Sequence, residues 1–223
     1  MKYQDFLSYL LSIKDEKNAA FVDSLSNSDY ISLGIKAPLL KEIAKRYKDD
    51  NELILSDFEH GKYLEVENLF FAIGLSRCKN IDEQLLFLDK NLKYANSWAV
   101  TDSINHYLKK CHYETFLDFF KLHYDNKHIY TRRYSYVFAL KFYKDKRILD
   151  IFKYIRENDE YMVLMAEAWL LSFIAVTYSK ETYDFLKTLT DVKLIRKTIS
   201  KISDSYRFDI ETKNMFKSLR EGL

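Results

Sequence analysis

Glycine is scarce in this chain, with four in 223 residues, at positions 34, 61, 74 and 222. No G-x-G-x-x-G or Walker loop can be assembled from them, so the backbone lacks the usual means of cradling a nucleotide's phosphates, and nucleotide-dependent chemistry is disfavoured. Cys78 and Cys111 form no C-x-x-C, and the histidines (60, 106, 112, 123 and 128) show no i,i+4 pair of the kind that clamps zinc. Neither a metal nor any other cofactor is expected. No apolar run approaches the roughly 18 residues that span a bilayer. The start, with an acid at Asp5 and no small-residue cleavage site, does not read as a signal peptide. A cytoplasmic protein without membrane contact is expected. Surplus charge is lacking too: a net charge of +2 does not announce nucleic-acid binding, so any basic footprint must come from placement.

With a single proline, and apolar residues recurring at i, i+3, i+4 and i+7, helix is expected nearly throughout and no strand is convincing. The pattern predicts helices over 2–13, 15–25 and 37–47, a short one over 51–59 stopped at Gly61, and a long one over 63–78. Gly34 permits a turn before the third helix, whose first turn tolerates Pro38. From there a rhythm sets in. Residues 81–93 pair with 97–109, 112–124 with 130–143, 146–158 with 161–178, and 181–189 with 192–202, before a closing helix near 209–219. The second helices begin roughly 31 to 33 residues apart, the spacing of stacked helical hairpins. The expected fold is therefore all-α. It is an α-solenoid of stacked antiparallel helix pairs, a right-curving HEAT-like array over 1–223 as a single domain, whose second helices form a concave binding surface. The eighteen tyrosines and sixteen phenylalanines are read almost entirely as core.

The stretch 97–102 sets Trp98 and Asp102 four positions apart, which on a helix puts ring and carboxylate on one face. The other tryptophan, Trp169, lies two hairpins later, with Arg132 and Arg133 at a helix start between them. The stretch from Tyr30 through Leu33-Gly34-Ile35-Lys36-Ala37-Pro38 to Ala44, the Trp98-x-x-x-Asp102 helix, Thr131-Arg132-Arg133, and Met165-Ala166-Glu167-Ala168-Trp169 together resemble the AlkD-type DNA alkylation repair family. Single pieces are weak signals; four in order are moderately specific. The resemblance implies a HEAT-like DNA glycosylase that releases cationic N3- and N7-alkylated purines from duplex DNA; a monomer is expected. It matches Asp102 to the catalytic carboxylate, Trp98 and Trp169 to the lesion-contacting rings, and Arg133, with Arg132, to a phosphate partner. The chemistry is coherent: an aromatic face attracts a cationic base, a carboxylate stabilises the oxocarbenium-like sugar, and a guanidinium forks onto phosphate.

Two features depart from that pattern. Ser172 stands three places after Trp169, where the catalytic branch tends to carry a basic residue, and 158–190 is net acidic, counting Asp159, Glu160 and Glu167. Beyond 191 the balance reverses, and Arg196 and Lys201 are the further candidate phosphate partners. The competing reading is a non-catalytic HEAT-like scaffold that binds nucleic acid or a protein partner. Asp102 discriminates between them, because a pure DNA scaffold gains nothing from a carboxylate facing phosphate.

Overall fold

The computed structural model describes residues 1–26, 28–157 and 160–222, and shows a helical chain with no strand among them. The chain folds as two compact units, Met1–Cys111 and His112–Leu223. The first contains α1 (Tyr3–Ser12), α2 (Glu16–Ser26), α3 (Ala37–Tyr47), α4 (Leu64–Arg77), α5 (Ile81–Asn91) and α6 (Trp98–Ile104). The second contains α7 (Tyr113–His123), α8 (Ile129–Ala139), α9 (Tyr161–Thr177), α10 (Ser179–Thr188), α11 (Val192–Asp204) and α12 (Ile210–Ser218). Among the described residues no helix is long and apolar enough to cross a membrane.

In the first unit α4 is the centre, with α3, α5 and α6 packed on it. It carries apolar residues on every face, as a helix buried all round must, and Leu69, Phe71, Ile73 and Leu75 are wholly enclosed. Its charged residues serve the loops around it. The guanidinium of Arg77 donates to the carbonyls of Tyr47, Lys48, Asp50 and Leu53 at 2.7–3.2 Å, tying off the C-terminus of α3. That clasp also explains a shortfall from the expected helix over 51–59. With the carbonyls of Asp50 and Leu53 turned to Arg77, only a 3₁₀ turn, Leu55–Asp57, forms there. Likewise the expected helix over 97–109 stops at Ile104, because the side chain of Gln84 takes the carbonyl of Tyr107 at 2.9 Å and the amide of Lys109 at 2.8 Å.

The loop before α3 is pinned by Glu65. This carboxylate is 3% exposed and accepts from the hydroxyl of Ser32 and from the backbone amides of Leu33, Gly34 and Ile35, at 2.7–3.3 Å. Gly34 lies at φ 73°, and a Cβ there would stand 2.1 Å from the carbonyl oxygen of Asp15, so both its conformation and its contact with the start of α2 require glycine. Pro38 occupies the first turn of α3 as anticipated. Beside this loop, a lone parallel bridge joins Ile31 to Tyr63.

In the second unit α9 is the buried centre, packed by α8, α10 and α11. The expected α-helix over 146–158 is instead a 3₁₀-helix, Lys146–Tyr154; its anticipated end at 158 falls outside the described residues. Ile148 and Ile151 are buried three residues apart, and with three residues per turn the tighter helix sets them directly in line on its inward face. The expected helix over 130–143 likewise ends as a 3₁₀ turn, Leu140–Phe142, after α8.

Replacing Glu65 tests the loop clasp. Glu65→Ala leaves the amides of Leu33 and Ile35 in a buried loop without an acceptor and that of Gly34 with only the Ser32 hydroxyl at 3.0 Å, and a loss of about 3 kcal/mol in urea-unfolding stability is expected. Glu65→Gln should be nearly as costly, since one oxygen becomes a donor facing donors. A Gln variant as stable as the wild type would show that the clasp does not hold the loop.

Candidate functional site

In the first unit the residues singled out by sequence lie on α6, and its position is fixed from outside the helix. The hydroxyl of Tyr30 donates to the carbonyl of Tyr94 and accepts from the amide of Asn96 at 3.0 Å, immediately before the helix begins. The Tyr94 ring stacks on His60, with centroids 3.6 Å apart and planes 7° from parallel. His60 in turn is held by the enclosed carboxylate of Glu67 at 2.8 Å. Ser97 then caps α6, accepting from the amide of Ala99 at 3.2 Å.

On the helix so placed, Val100, Thr101 and Ile104 turn inward and are buried, while Trp98 and Asp102 remain half-buried. The hydroxyl of Thr101 lies 3.3 Å from Oδ1 of Asp102, and that of Ser103 donates to Asn68 on α4 at 2.8 Å. A groove of about 260 Å³ runs past the neighbouring face of α6, lined among others by Leu40, Lys41, Leu69, Ala99, Ser103 and Tyr107. The first unit therefore offers an accessible ring and an accessible carboxylate one turn apart, on a short helix braced by an aromatic and hydrogen-bonded clasp.

The second unit holds the other sequence candidates, in differing settings. Trp169 is half-buried in the middle of α9, edge-on to Phe173 at 5.9 Å. Ser172 is buried, and its hydroxyl turns back to the carbonyl of Trp169 at 2.7 Å, so it offers no donor outward. A basic group does reach this neighbourhood from elsewhere: the guanidinium of Arg207, after α11, lies 3.9 Å from the centre of the Phe173 ring. Sequence spacing gave no sign of it, because Arg207 is far from Trp169 along the chain. Arg196 is exposed and Lys201 half-buried on α11, whose opposite face buries Leu194, Ile195, Ile199 and Ile202. Arg133 is 5% exposed, and its Nη1 donates to the carbonyl of Met162 at 2.6 Å. Its fork is thus partly committed to the backbone at the start of α9.

Arg132 points into a polar cavity of about 290 Å³, lined with Tyr136 of α8, Glu160 and Glu167 of the next helical stretch, and Tyr154 and Arg156 between them. Sequence reasoning missed this cavity. The available signal is Glu167, the one charged residue in the seventeen of α9, which by charge alone reads as part of an acidic segment. Burial pushes its carboxyl up to about 8; nearby Asp191 adds to the rise, while a hydrogen bond with Tyr136 and the charge of Arg132 oppose it. Glu167 is therefore largely protonated at pH 7 and contributes little negative charge. The Tyr136 hydroxyl, also within 3.3 Å of the carbonyl of Tyr154, is raised well above the usual phenol value, chiefly by burial. Among the described residues no group of three or more His, Cys, Asp or Glu side chains is placed to hold a metal ion.

Compared with known proteins, the chain matches the family described as DNA alkylation repair enzyme over residues 7–206. No curated protein and no solved structure matches it.

The Glu167 carboxyl makes a stability prediction of definite sign. Its folded value, about 8, lies above the ordinary 4.5, so between those limits the folded state holds a proton that the unfolded state has released. Stability contributed by the neutral carboxyl is fully present below about 4.5 and is lost as the pH rises through 8. Relative to Glu167→Gln, the wild type should lose stability across this window by about 1.4 kcal/mol per pH unit. Thermal unfolding of both proteins at pH 5, 6.5 and 8 reads the difference. A constant gap would place the proton elsewhere.

Proposed function

The chain belongs to the DNA alkylation repair enzyme family, and on that premise we propose that it is a glycosylase-type repair protein that excises cationic N3- or N7-alkylated purines from duplex DNA. The finer architecture implied by the resemblance, one HEAT-like array over 1–223, is part of the same proposal. The succession of α8 on α9 and α9 on α11 supports it within the second unit.

The observation that carries the reading is the pair on α6, where Trp98 and Asp102 stay accessible one turn apart while Val100, Thr101 and Ile104 face inward. A cationic alkylpurine is already a good leaving group. The C1′–N bond breaks with its electron pair going to the base, which departs neutral, and positive charge builds on the sugar. A carboxylate beside C1′ stabilises that charge, then takes a proton from the water that adds there. The Trp98 ring attracts the base while it is still cationic, a contact worth ~0.5–2 kcal/mol. This chemistry needs no bound metal or redox group. In the second unit the reading assigns Trp169 to the lesion nucleotide, and Arg132, Arg133, Arg196 and Lys201 to phosphate. Arg207 joins them because it lies on Phe173, which packs against Trp169.

The burial of Arg133 and the inward-turned Ser172 hydroxyl favour a second reading, a non-catalytic scaffold that binds nucleic acid or a protein partner. Both weaken the grip on phosphate around Trp169 without touching Asp102.

Two measurements separate the readings. Wild type and Asp102→Asn are incubated with N-methylated duplex DNA and released bases are quantified by mass spectrometry. Release by the wild type and a fall of about 10²-fold or more in the variant are expected. Equal release by both would remove Asp102 from the chemistry, and no release by either would leave the scaffold. In parallel, Arg196→Glu should weaken duplex binding irrespective of sequence and lower the salt dependence by about one counterion. An unchanged salt slope would take Arg196 off the DNA.

A further inference from the structure

Apart from Arg132, assigned above to phosphate, the polar cavity of the second unit has no part in the reaction just proposed, yet it contains two buried polar atoms without partners among the described residues: Oε2 of Glu167, on a residue 1% exposed, and Nε of Arg132. The Tyr136 hydroxyl gives its proton to the carbonyl of Tyr154, so the neutral Glu167 carboxyl can donate to Tyr136 from its other oxygen; Oε2 is then an acceptor, and Arg132 Nε is a donor. At about 290 Å³ the space is far larger than the ~30 Å³ share of a single water, and it lies at the lower edge of small-ligand sites. That size suits one ring system.

Charge narrows the occupant further. The groups facing the cavity come from every element around it. Asp125 and Tyr124 stand at the end of α7, and Arg132 and Tyr136 on α8. Tyr154, Arg156 and Glu157 follow the 3₁₀-helix, and Glu160 and Glu167 belong to the α9 stretch. Asp191, which caps α11, acts on Glu167 from a further side. With Glu167 protonated at neutral pH, two guanidiniums face three carboxylates among the described residues of the lining. An anion meets those three acids, and a compact cation meets Arg132, so neither is well matched. A neutral ligand that presents an acceptor and a donor together satisfies both stranded atoms.

We propose that this cavity is a binding site for an uncharged heterocycle of nucleobase size with an amidine edge, its ring nitrogen accepting from Arg132 Nε and its amino group donating to Glu167 Oε2. The tyrosines close the site around the ring. Tyr124 and Tyr154 meet edge to face with centroids 4.8 Å apart, and the guanidinium of Arg156 lies 5.7 Å from the Tyr124 ring centre. Tyr136 holds the other side of the Glu167 carboxyl and so orients its unpartnered oxygen. This inference does not depend on the glycosylase reading, because it concerns a free heterocycle in one unit and no DNA.

The test uses the full-length protein and three probes, 9-methyladenine, 9-methylpurine and inorganic phosphate, followed by calorimetry and by chemical-shift changes of the protein. Binding of 9-methyladenine is expected, with 9-methylpurine, which keeps the ring nitrogens but lacks the amino donor, about tenfold weaker or worse. Glu167→Leu should weaken 9-methyladenine by about tenfold or more, while Glu167→Gln, which retains an acceptor oxygen and a donor for Tyr136, should keep the wild-type affinity within about threefold. Circular dichroism confirms that both variants are folded, and the Gln variant keeps the test decisive if the Leu variant is not. No 9-methyladenine binding at millimolar concentration, equal binding of 9-methylpurine, an unaltered affinity in folded Glu167→Leu, or a tenfold loss in Glu167→Gln would each overturn the assignment. Saturable phosphate binding that displaces the heterocycle would overturn it in favour of an anion site.

Discussion

A carboxylate without a cationic partner organises the first unit. Glu65 is enclosed, and its charge is balanced by three successive backbone amides and one hydroxyl of the loop before α3. A buried loop must satisfy its own amides, and this one, shaped by Gly34 at positive φ, cannot do so through helix or sheet. Glu65 therefore does what secondary structure does elsewhere. The same device recurs along α4: Glu67 holds His60 and the amide of Gly61, and Arg77 gathers the carbonyls beyond α3. Through His60 and Tyr94 that device reaches the start of α6, so the accessible Trp98 and Asp102 depend on polar groups that are themselves hidden.

Glu167 is the instructive contrast. It is the same residue type, as deeply enclosed and in a still more apolar helix, yet it has one tyrosine for company and an oxygen with no partner among the described residues. Three amides converge on Glu65, whereas the backbone around Glu167 is already spent within α9. Burial alone therefore does not decide what a carboxyl does. The donors that the neighbouring chain can still spare decide it, and where none remain the group keeps its proton and leaves a hydrogen-bonding site open.

Much of the fold was legible because helix periodicity is a local property. The helices around 2–13, 37–47, 63–78 and 192–202 appear close to their expected bounds. The errors fall where a distant side chain competes with the local pattern. Gln84 draws out the chain after Ile104, and Arg77 does so after Asp50. Periodicity cannot register either. The site was legible to a similar degree: the placement of Trp98 and Asp102 on one accessible face follows from their spacing, whereas the burial of Arg133 and the approach of Arg207 to Phe173 depend on contacts between segments remote in sequence. Glu167 was visible as a lone charge in an apolar run, but a formal charge count treats it as an anion and so conceals its meaning.

The two carboxyls left for function, Asp102 and Glu167, are suited to opposite tasks. Stabilising positive charge on a sugar requires a carboxyl group that substrate can reach, and Asp102 is half-buried on a helix surface beside a ring able to hold a cation. Glu167, protonated near neutrality and closed in by tyrosines, has no charge to lend to such a reaction; its use lies in fixed hydrogen bonding to something neutral. A cationic lesion brings its own activation to the protein, so the chemistry needs only an accessible carboxylate held in place, and a short braced helix can provide that without a deep pocket. Recognition of an uncharged ring has no such help, and it needs the enclosed donor and acceptor that the second unit keeps in its interior.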